Sequence, residues 1–461
     1  MQANFVKLPT VKKTGPAFVS TRNACKLCAP LGASLVFRGI EGCVPLIHGS
    51  QGCATYIRRY VISHFKEPID IASSNFSEAT AIFGGAANLK IALDNLIRQY
   101  KPSAIGIAST CLSETIGDDV QGYLEEYRKV HVGVDIPALI YASTPSYRGT
   151  HMDGYHEAVK ATVVALACGG PRSNSLNIVP GFLSAADLRH LQEIIADFQL
   201  PCTMLPDYSE TLDGESWSDY QKLSPGGTPV SAIRAMGRAA ATIELGRSLA
   251  GEETAASCLT EAFGVKRVTL GIPIGIRETD LFFSAVQEIA GCELPQKYAK
   301  QRGRLVDAYI DGHKTISGKR AVIYGEADFV ASMASFLDEI GIVPSLCATG
   351  APTKKFQEIV SSLLSAGHKD IIIREDADFE DMLDICSKIG VDIIIGNSKG
   401  YYLAKNLNLP LVRAGFPVHD RIGGQRILHV GYEGTQQLFD RIVNALIEYK
   451  QINSPVGYSY I

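Results

Sequence analysis

The chain has 461 residues, 46% of them hydrophobic, which is enough to build more than one core and longer than a single core usually supports. Its 44 basic and 48 acidic residues are well mixed and leave a net charge of −4, so there is no basic footprint for nucleic acid. No apolar run approaches the roughly 20 residues of a membrane span, and the opening "MQANFVKLPTVKKTGPAF" lacks the apolar core of a signal peptide. No membrane is expected as a partner, and the expected compartment is the cytoplasm.

In chain order, a polar arm over residues 1–22 precedes "NACKLCAPLGA", whose Pro-Leu-Gly turn is expected to open a helix over "GASLVFRGI". The apolar run of "GCVPLIHGSQGC" reads as a strand ending in a glycine-bracketed turn at Cys53. Further buried strands are expected at "SAIGIAST" (103–110), "ALIYAS" (138–143), "LNIVPGF" (176–182), "RVTLGIP" (267–273), "RAVIYG" (320–325), "DIIIRE" (370–375) and "DIIIGNS" (392–398). Helical spacing is clear over 185–198 and 329–341. This alternation predicts an α/β protein with three Rossmann-like parallel-sheet domains, helices on both faces, behind the N-terminal arm. Polar, Gly- and Pro-rich stretches at 168–174 and 299–320 divide it into 23–172, 173–300 and 301–461.

Eleven cysteines are spread along a chain with no sign of export, so ligation, catalysis or burial divides them rather than a disulfide framework. Cys43, Cys168, Cys202, Cys258, Cys292, Cys347 and Cys386 have no nearby chelating pair and are expected to be structural. In parallel sheets, ligands bind beyond the carboxyl ends of the strands. That rule selects Cys53, Cys111 and Ser146, each following a predicted strand, and Cys28 before the Pro-Leu-Gly turn is a fourth candidate. Soft thiolates converging from separate loops suit iron–sulfur or zinc chemistry. Cys25 and Cys28 form a Cys-x-x-Cys pair, but no second pair completes a zinc site. His48, between a strand and a glycine turn, is expected to hydrogen-bond the backbone, and the "GEADF" turn at 325–329 lacks the lysine of a P-loop.

"CAPLGA", "HGSQGC", "HFKEP", "AIFGGAAN", "STCLSETIGDD", "TPSYRGTH", "RGRLVDAYIDGH" and "GFPVHDRIGG" follow one another in this order over nearly the whole chain. The ordered set resembles the β-type subunits of nitrogenase component 1 and its relatives. The resemblance implies that Cys28, Cys53 and Cys111 ligate an 8Fe-7S P-cluster shared with an α-type subunit, with Ser146 as an additional ligand in the oxidised state. It implies that Phe83 lies near the docking face for an ATP-dependent iron protein, which would carry the nucleotide site. It also implies a mononuclear cation held by Glu67, Asp307 and Asp311 where two β-type chains meet in an α2β2 heterotetramer. Asp307 and Asp311 stand four apart, on one face of a helix, and the alternative is a solvated acidic face paired with Arg302 or Arg304.

Two functional classes remain open on this resemblance. One is a reductase subunit that relays electrons to a larger iron–sulfur cofactor in the partner, reducing dinitrogen or, as in methylthio-alkane reductases, cleaving carbon–sulfur bonds. The other is the β-type subunit of the cofactor-assembly scaffold, which "SPGGTPVSAI", "GNSKG" and "PLVRAGFP" also resemble. Three matching thiols favour the reductase, because the scaffold's β-type chain generally keeps fewer.

Overall fold

The computed structural model describes residues 26–353, 355–365 and 371–456. The arm over 1–22 and Cys25 lie outside them. Three wholly parallel sheets carry the architecture. The first contains β1 (Cys43–His48), β2 (Ala72–Ser73), β3 (Ala104–Ser109) and β4 (Ala138–Ala142), in the order β2-β1-β3-β4. The second contains β5 (Leu176–Val179), β6 (Cys202–Met204), β7 (Ala241–Leu245) and β8 (Lys266–Leu270), in the order β6-β5-β7-β8. The third contains β9 (Arg320–Gly325), β10 (Val343–Thr349), β11 (Ile372–Arg374), β12 (Ile393–Gly396) and β13 (Leu411–Arg413), in the order β11-β10-β9-β12-β13.

These strands read as continuous apolar runs because both of their faces are buried. In β9, Ala321 and Ile323 enter a core that runs through all three sheets, while Val322 and Tyr324 enter a separate core on the other face. β1 divides in the same way, with Ile47 in the shared core and Val44 and Leu46 in an outer one. Strand β7 escapes an apolar-run reading because it buries Thr242 and Glu244, made tolerable by Asn177 at 3.0 Å and Arg267 at 2.8 Å.

Several expectations need correcting. The helix expected from Gly32 begins at Ala29 and ends at Arg38, with Pro30 in its first turn, where a missing N–H costs nothing. The division between residues 300 and 301 falls inside one helix, Gln296–Ile316, which packs along the C-terminal helix Gly431–Ile452. Cys43, Cys347 and Cys386 are buried, but Cys168, Cys202 and Cys292 reach the surface and Cys258 is half-buried. Among the described residues no helix is long and apolar enough to cross a membrane.

Two glycines fix the entry to the first sheet. The helices Ala29–Arg38 and His151–Leu166 cross with their backbones touching. A Cβ on Gly32 would collide with the carbonyl of His151, and one on Gly154 with that of Ala29. This crossing sets Cys28, the residue before the first helix, beside Thr150, the residue before the second.

Candidate functional site

Strand β1 leads into the helix Gln51–Phe65 and on to β2 on one side of the sheet, while β3 pairs with β1 on the other. The chain therefore reverses direction at the carboxyl ends of β1 and β3, the position where open parallel sheets leave a crevice. Polar bonds stitch the strand ends together there. Thr110 Oγ1 donates to the carbonyl of His48 at 3.0 Å, and Thr144 Oγ1 donates to that of Ser109 at 2.7 Å. Gly49 is required at this seam, since a Cβ would approach Thr110 Oγ1 to 2.5 Å.

Cys53 lies in the first turn of Gln51–Phe65 rather than in a turn, and Cys111 is the first residue of the helix Cys111–Thr115. Ser50 and Thr110 are the respective N-caps. Cys28, Cys53 and Cys111 are all free and exposed.

Donors and acceptors tie these segments to one another. The amide of Ser146 donates to Cys111 Sγ at 3.2 Å, and Ser50 Oγ donates to Cys53 Sγ at 3.6 Å. Ser146 Oγ accepts from the amide of Ala29, next to Cys28, at 3.1 Å. Burial pushes the Cys28 thiol up, a hydrogen bond with Ser146 pulls it down, and the nearby Cys53 and Cys111 push it up again. Among the described residues no three His, Cys, Asp or Glu groups converge to hold a single ion. Free, exposed thiols on separate segments are donors of the soft kind that iron–sulfur centres use.

Two carboxylates without an assigned role support the Cys111 segment. Glu114 is half-buried, and the desolvation raises its pKa, but Ser109, Ser143 and Tyr141 donate to it at 2.5, 2.6 and 3.1 Å and hold it below the ordinary carboxylate range. Asp118, seven residues beyond Cys111, accepts from Gly85 N at 3.0 Å and from Tyr123 OH at 3.3 Å, and pairs with His48 Nε2 at 3.0 Å. The sequence signal was "CLSETIGDD", acidic residues following a strand-end cysteine. His48 thus bonds two side chains, Asp118 and Ser74, rather than the backbone. His64 meets the backbone instead, accepting from Val418 N at 2.9 Å.

Phe83 ends the short helix Glu78–Phe83 and is 85% exposed, with Ile82 beside it at 75%, so neither is packed against this chain. Asp307 and Asp311 lie exposed, one turn apart, on Gln296–Ile316. Arg302 is engaged by Asp280 at 2.8 Å, so the pairing of that arginine with Asp307 or Asp311 does not form. Glu67 is near Asp213 and Arg426 and does not join the two aspartates in a metal-holding group within one chain. The "GEADF" turn is taken up by contacts between sheets, with Glu326 on His151 at 2.7 Å and Asp328 on the Ser248 amide at 2.9 Å.

Residues 28–447 match the model of the family described as nitrogenase component 1 type oxidoreductase, and the chain belongs to that family. It is a β-type member. It is 34% identical over 428 residues to the nitrogenase molybdenum-iron protein beta chain of Clostridium pasteurianum, covering 92% of this chain and 93% of that one. It is 32% identical over 447 residues to the nitrogenase iron-molybdenum cofactor biosynthesis protein NifN of Bradyrhizobium diazoefficiens, covering 95% and 92%. A solved structure described as nitrogenase Cp1 at pH 6.5 superposes with a TM-score of 0.94 at 33% identity, covering 98% of this chain and 99% of that one.

Proposed function

We propose that this chain is the β-type subunit of a nitrogenase-like reductase in which Cys28, Cys53 and Cys111, with Ser146, hold one side of an 8Fe-7S P-cluster completed by an α-type subunit. The observation that carries this reading is three free, exposed thiols on separate segments, with the Cys28 and Cys111 segments tied through Ser146. When bound, such a cluster supplies a store for electrons in transit. The protein's part is to hold the thiolates at helix N-termini, to aim the Ser146 amide at sulfur, and to keep Glu114 ionised under the Cys111 segment. An ATP-dependent iron protein would dock over Phe83, and electrons would pass to a larger iron–sulfur cofactor in the partner for reduction of dinitrogen or a carbon–sulfur bond.

The same reading gives Asp307, Asp311 and Glu67 a role between two copies of this chain, in an α2β2 heterotetramer. Its support is the surface beside them: Val306 and Ile310, the chain neighbours of Asp307 and Asp311 in the helix Gln296–Ile316, are exposed apolar side chains, and neither carboxylate has an ion-pair partner among the described residues. A cation shared by two copies would relieve their repulsion.

A second reading, the β-type subunit of a cofactor-assembly scaffold, draws on the similar identity to NifN. Cluster size separates the two. Mössbauer spectra and iron content of the anaerobically purified complex should report an eight-iron cluster at the subunit interface, lost in Cys53→Ala. A four-iron cluster in the intact complex would favour the scaffold.

A further inference from the structure

The exposed ridge at Phe83 and the thiol-bearing segments are separate in sequence, but one buried carboxylate joins them. Asp118 has a side chain only 2% exposed and His48 one that is fully buried. The amide of Gly85, two residues beyond Phe83, lies 3.0 and 3.1 Å from the two oxygens of Asp118. Asp118 Oδ2 also pairs with His48 Nε2 at 3.0 Å, and Oδ1 accepts from Tyr123 OH at 3.3 Å. On the far side of the imidazole, Ser74 Oγ lies 3.1 Å from Nδ1 and accepts from the amide of Gly49 at 3.0 Å.

The Asp118 carboxylate can only accept, so Nε2 of His48 donates to it; burial keeps the imidazole neutral, so Nδ1 accepts from the Ser74 hydroxyl, whose oxygen also accepts from Gly49 N. The result is an unbroken chain from Gly85 through Asp118, His48 and Ser74 to Gly49, the residue that opens the turn to Cys53. Asp118 also belongs to the segment that begins at Cys111, and its own amide donates to Ser113 O at 3.1 Å. Packing leaves this connection little slack, since a Cβ on Gly85 would come within 2.6 Å of both Asp118 Oδ2 and Phe76.

We propose that Asp118 is a positioning residue that transmits docking on the Phe83 ridge to the turn carrying Cys53 and to the Cys111 segment. This rests on the reading of Phe83 as a docking residue. A displacement of Gly85 must either break a buried hydrogen bond or carry Asp118 and His48 with it, and leaving a buried charged acceptor unsatisfied is the more costly course. Asn at 118 keeps the shape but loses the charge. It also turns an N–H₂ group toward a site where Gly85, His48 and Tyr123 all donate.

The test is hydrogen–deuterium exchange of the complete complex, with and without the iron protein held docked by a non-hydrolysable ATP analogue. In the natural protein, docking should slow exchange both at residues 78–85 and at 48–53. In Asp118→Asn the slowing at 78–85 should persist while that at 48–53 is lost. Gly85→Ala, which pushes on the carboxylate from the other side, should give the same split if Asp118→Asn fails to assemble. Both segments still responding together in the variants would overturn the proposal, as would a natural protein in which only 78–85 responds. No response at either segment in the natural protein would instead remove the docking role of Phe83.

Discussion

The amide of Ser146 points at the sulfur of Cys111 from 3.2 Å, while the hydroxyl of the same serine accepts from the amide that follows Cys28. One residue after β4 thus ties together two thiols that lie 83 positions apart in sequence. Cys111→Ala removes a sulfur and leaves the Ser146 amide without its acceptor, so iron content and electron transfer of the complex should fall together. Ser146→Ala keeps the amide at Cys111 and loses the hydroxyl, both as the acceptor for the Ala29 amide and as the additional ligand proposed for the oxidised cluster. It should cost about 1 kcal/mol of stability and leave the iron content largely intact. Unchanged iron in Cys111→Ala, measured on the assembled complex, would remove that residue from the ligand set.

Gly32 is the contact point of the crossing that positions Cys28. Gly32→Ala should force the two helices apart at a cost of about 1–3 kcal/mol, as overpacking does in well-filled cores. The melting temperature of the complex should drop and its iron content should fall with it. Gly303→Ala, on an open helix surface with nothing near its Cβ, is the matched control and should be neutral or slightly stabilising.

Asp307 and Asp311 carry a second expectation. Changing both to Asn should weaken association of the proposed α2β2 complex on dilution, to the same degree as chelation should weaken it in the natural protein, with cluster spectra unchanged. Ile310→Asp, at a position 69% exposed, should weaken association whether or not a chelator is present. Analytical ultracentrifugation over a dilution series distinguishes these outcomes, and equal mass in all variants would rule out the seam.

Phe83 is exposed enough that Phe83→Ala should change stability by no more than about 0.5 kcal/mol. On the proposed docking role, the effect should fall on coupling: more ATP hydrolysed per electron delivered, at unchanged iron content. Nucleotide turnover and reduced product measured in one preparation provide the check.

His64 gives a pH dependence of definite sign. Burial, reinforced by the neighbouring His419, holds it down at about 3, against 6.5 in the unfolded chain. Between those values the unfolded chain binds a proton that the folded one refuses. Stability should therefore be fully present above pH 6.5 and decline as pH falls toward 3, by up to ~1.4 kcal/mol per pH unit for one proton. In His64→Gln, the loss of melting temperature between about pH 6.5 and about pH 5 should be smaller than in the natural protein. Parallel melting curves for the two proteins would assign the pH dependence to other groups.

The strand segments were legible in the sequence because a parallel strand buried on both faces is a short apolar run whatever surrounds it. Ile393–Gly396 and Arg320–Gly325 are of that kind, and the loop leaving each such strand lies automatically at the ligand-binding end of its sheet. Strands that bury polar groups were hidden, because Glu244 in β7 is acceptable only once Arg267 of the neighbouring strand lies against it. The partners of the thiols were hidden for the same reason. That Ser146 faces Cys111, that His48 rests on Asp118 rather than on backbone, and that Phe83 stands free of the core are relations between segments up to tens of residues apart. No local pattern encodes them, since each depends on how the helices and sheets pack. The residue types and their order set which chemistry the chain can hold, and packing decided which side chains meet to hold it.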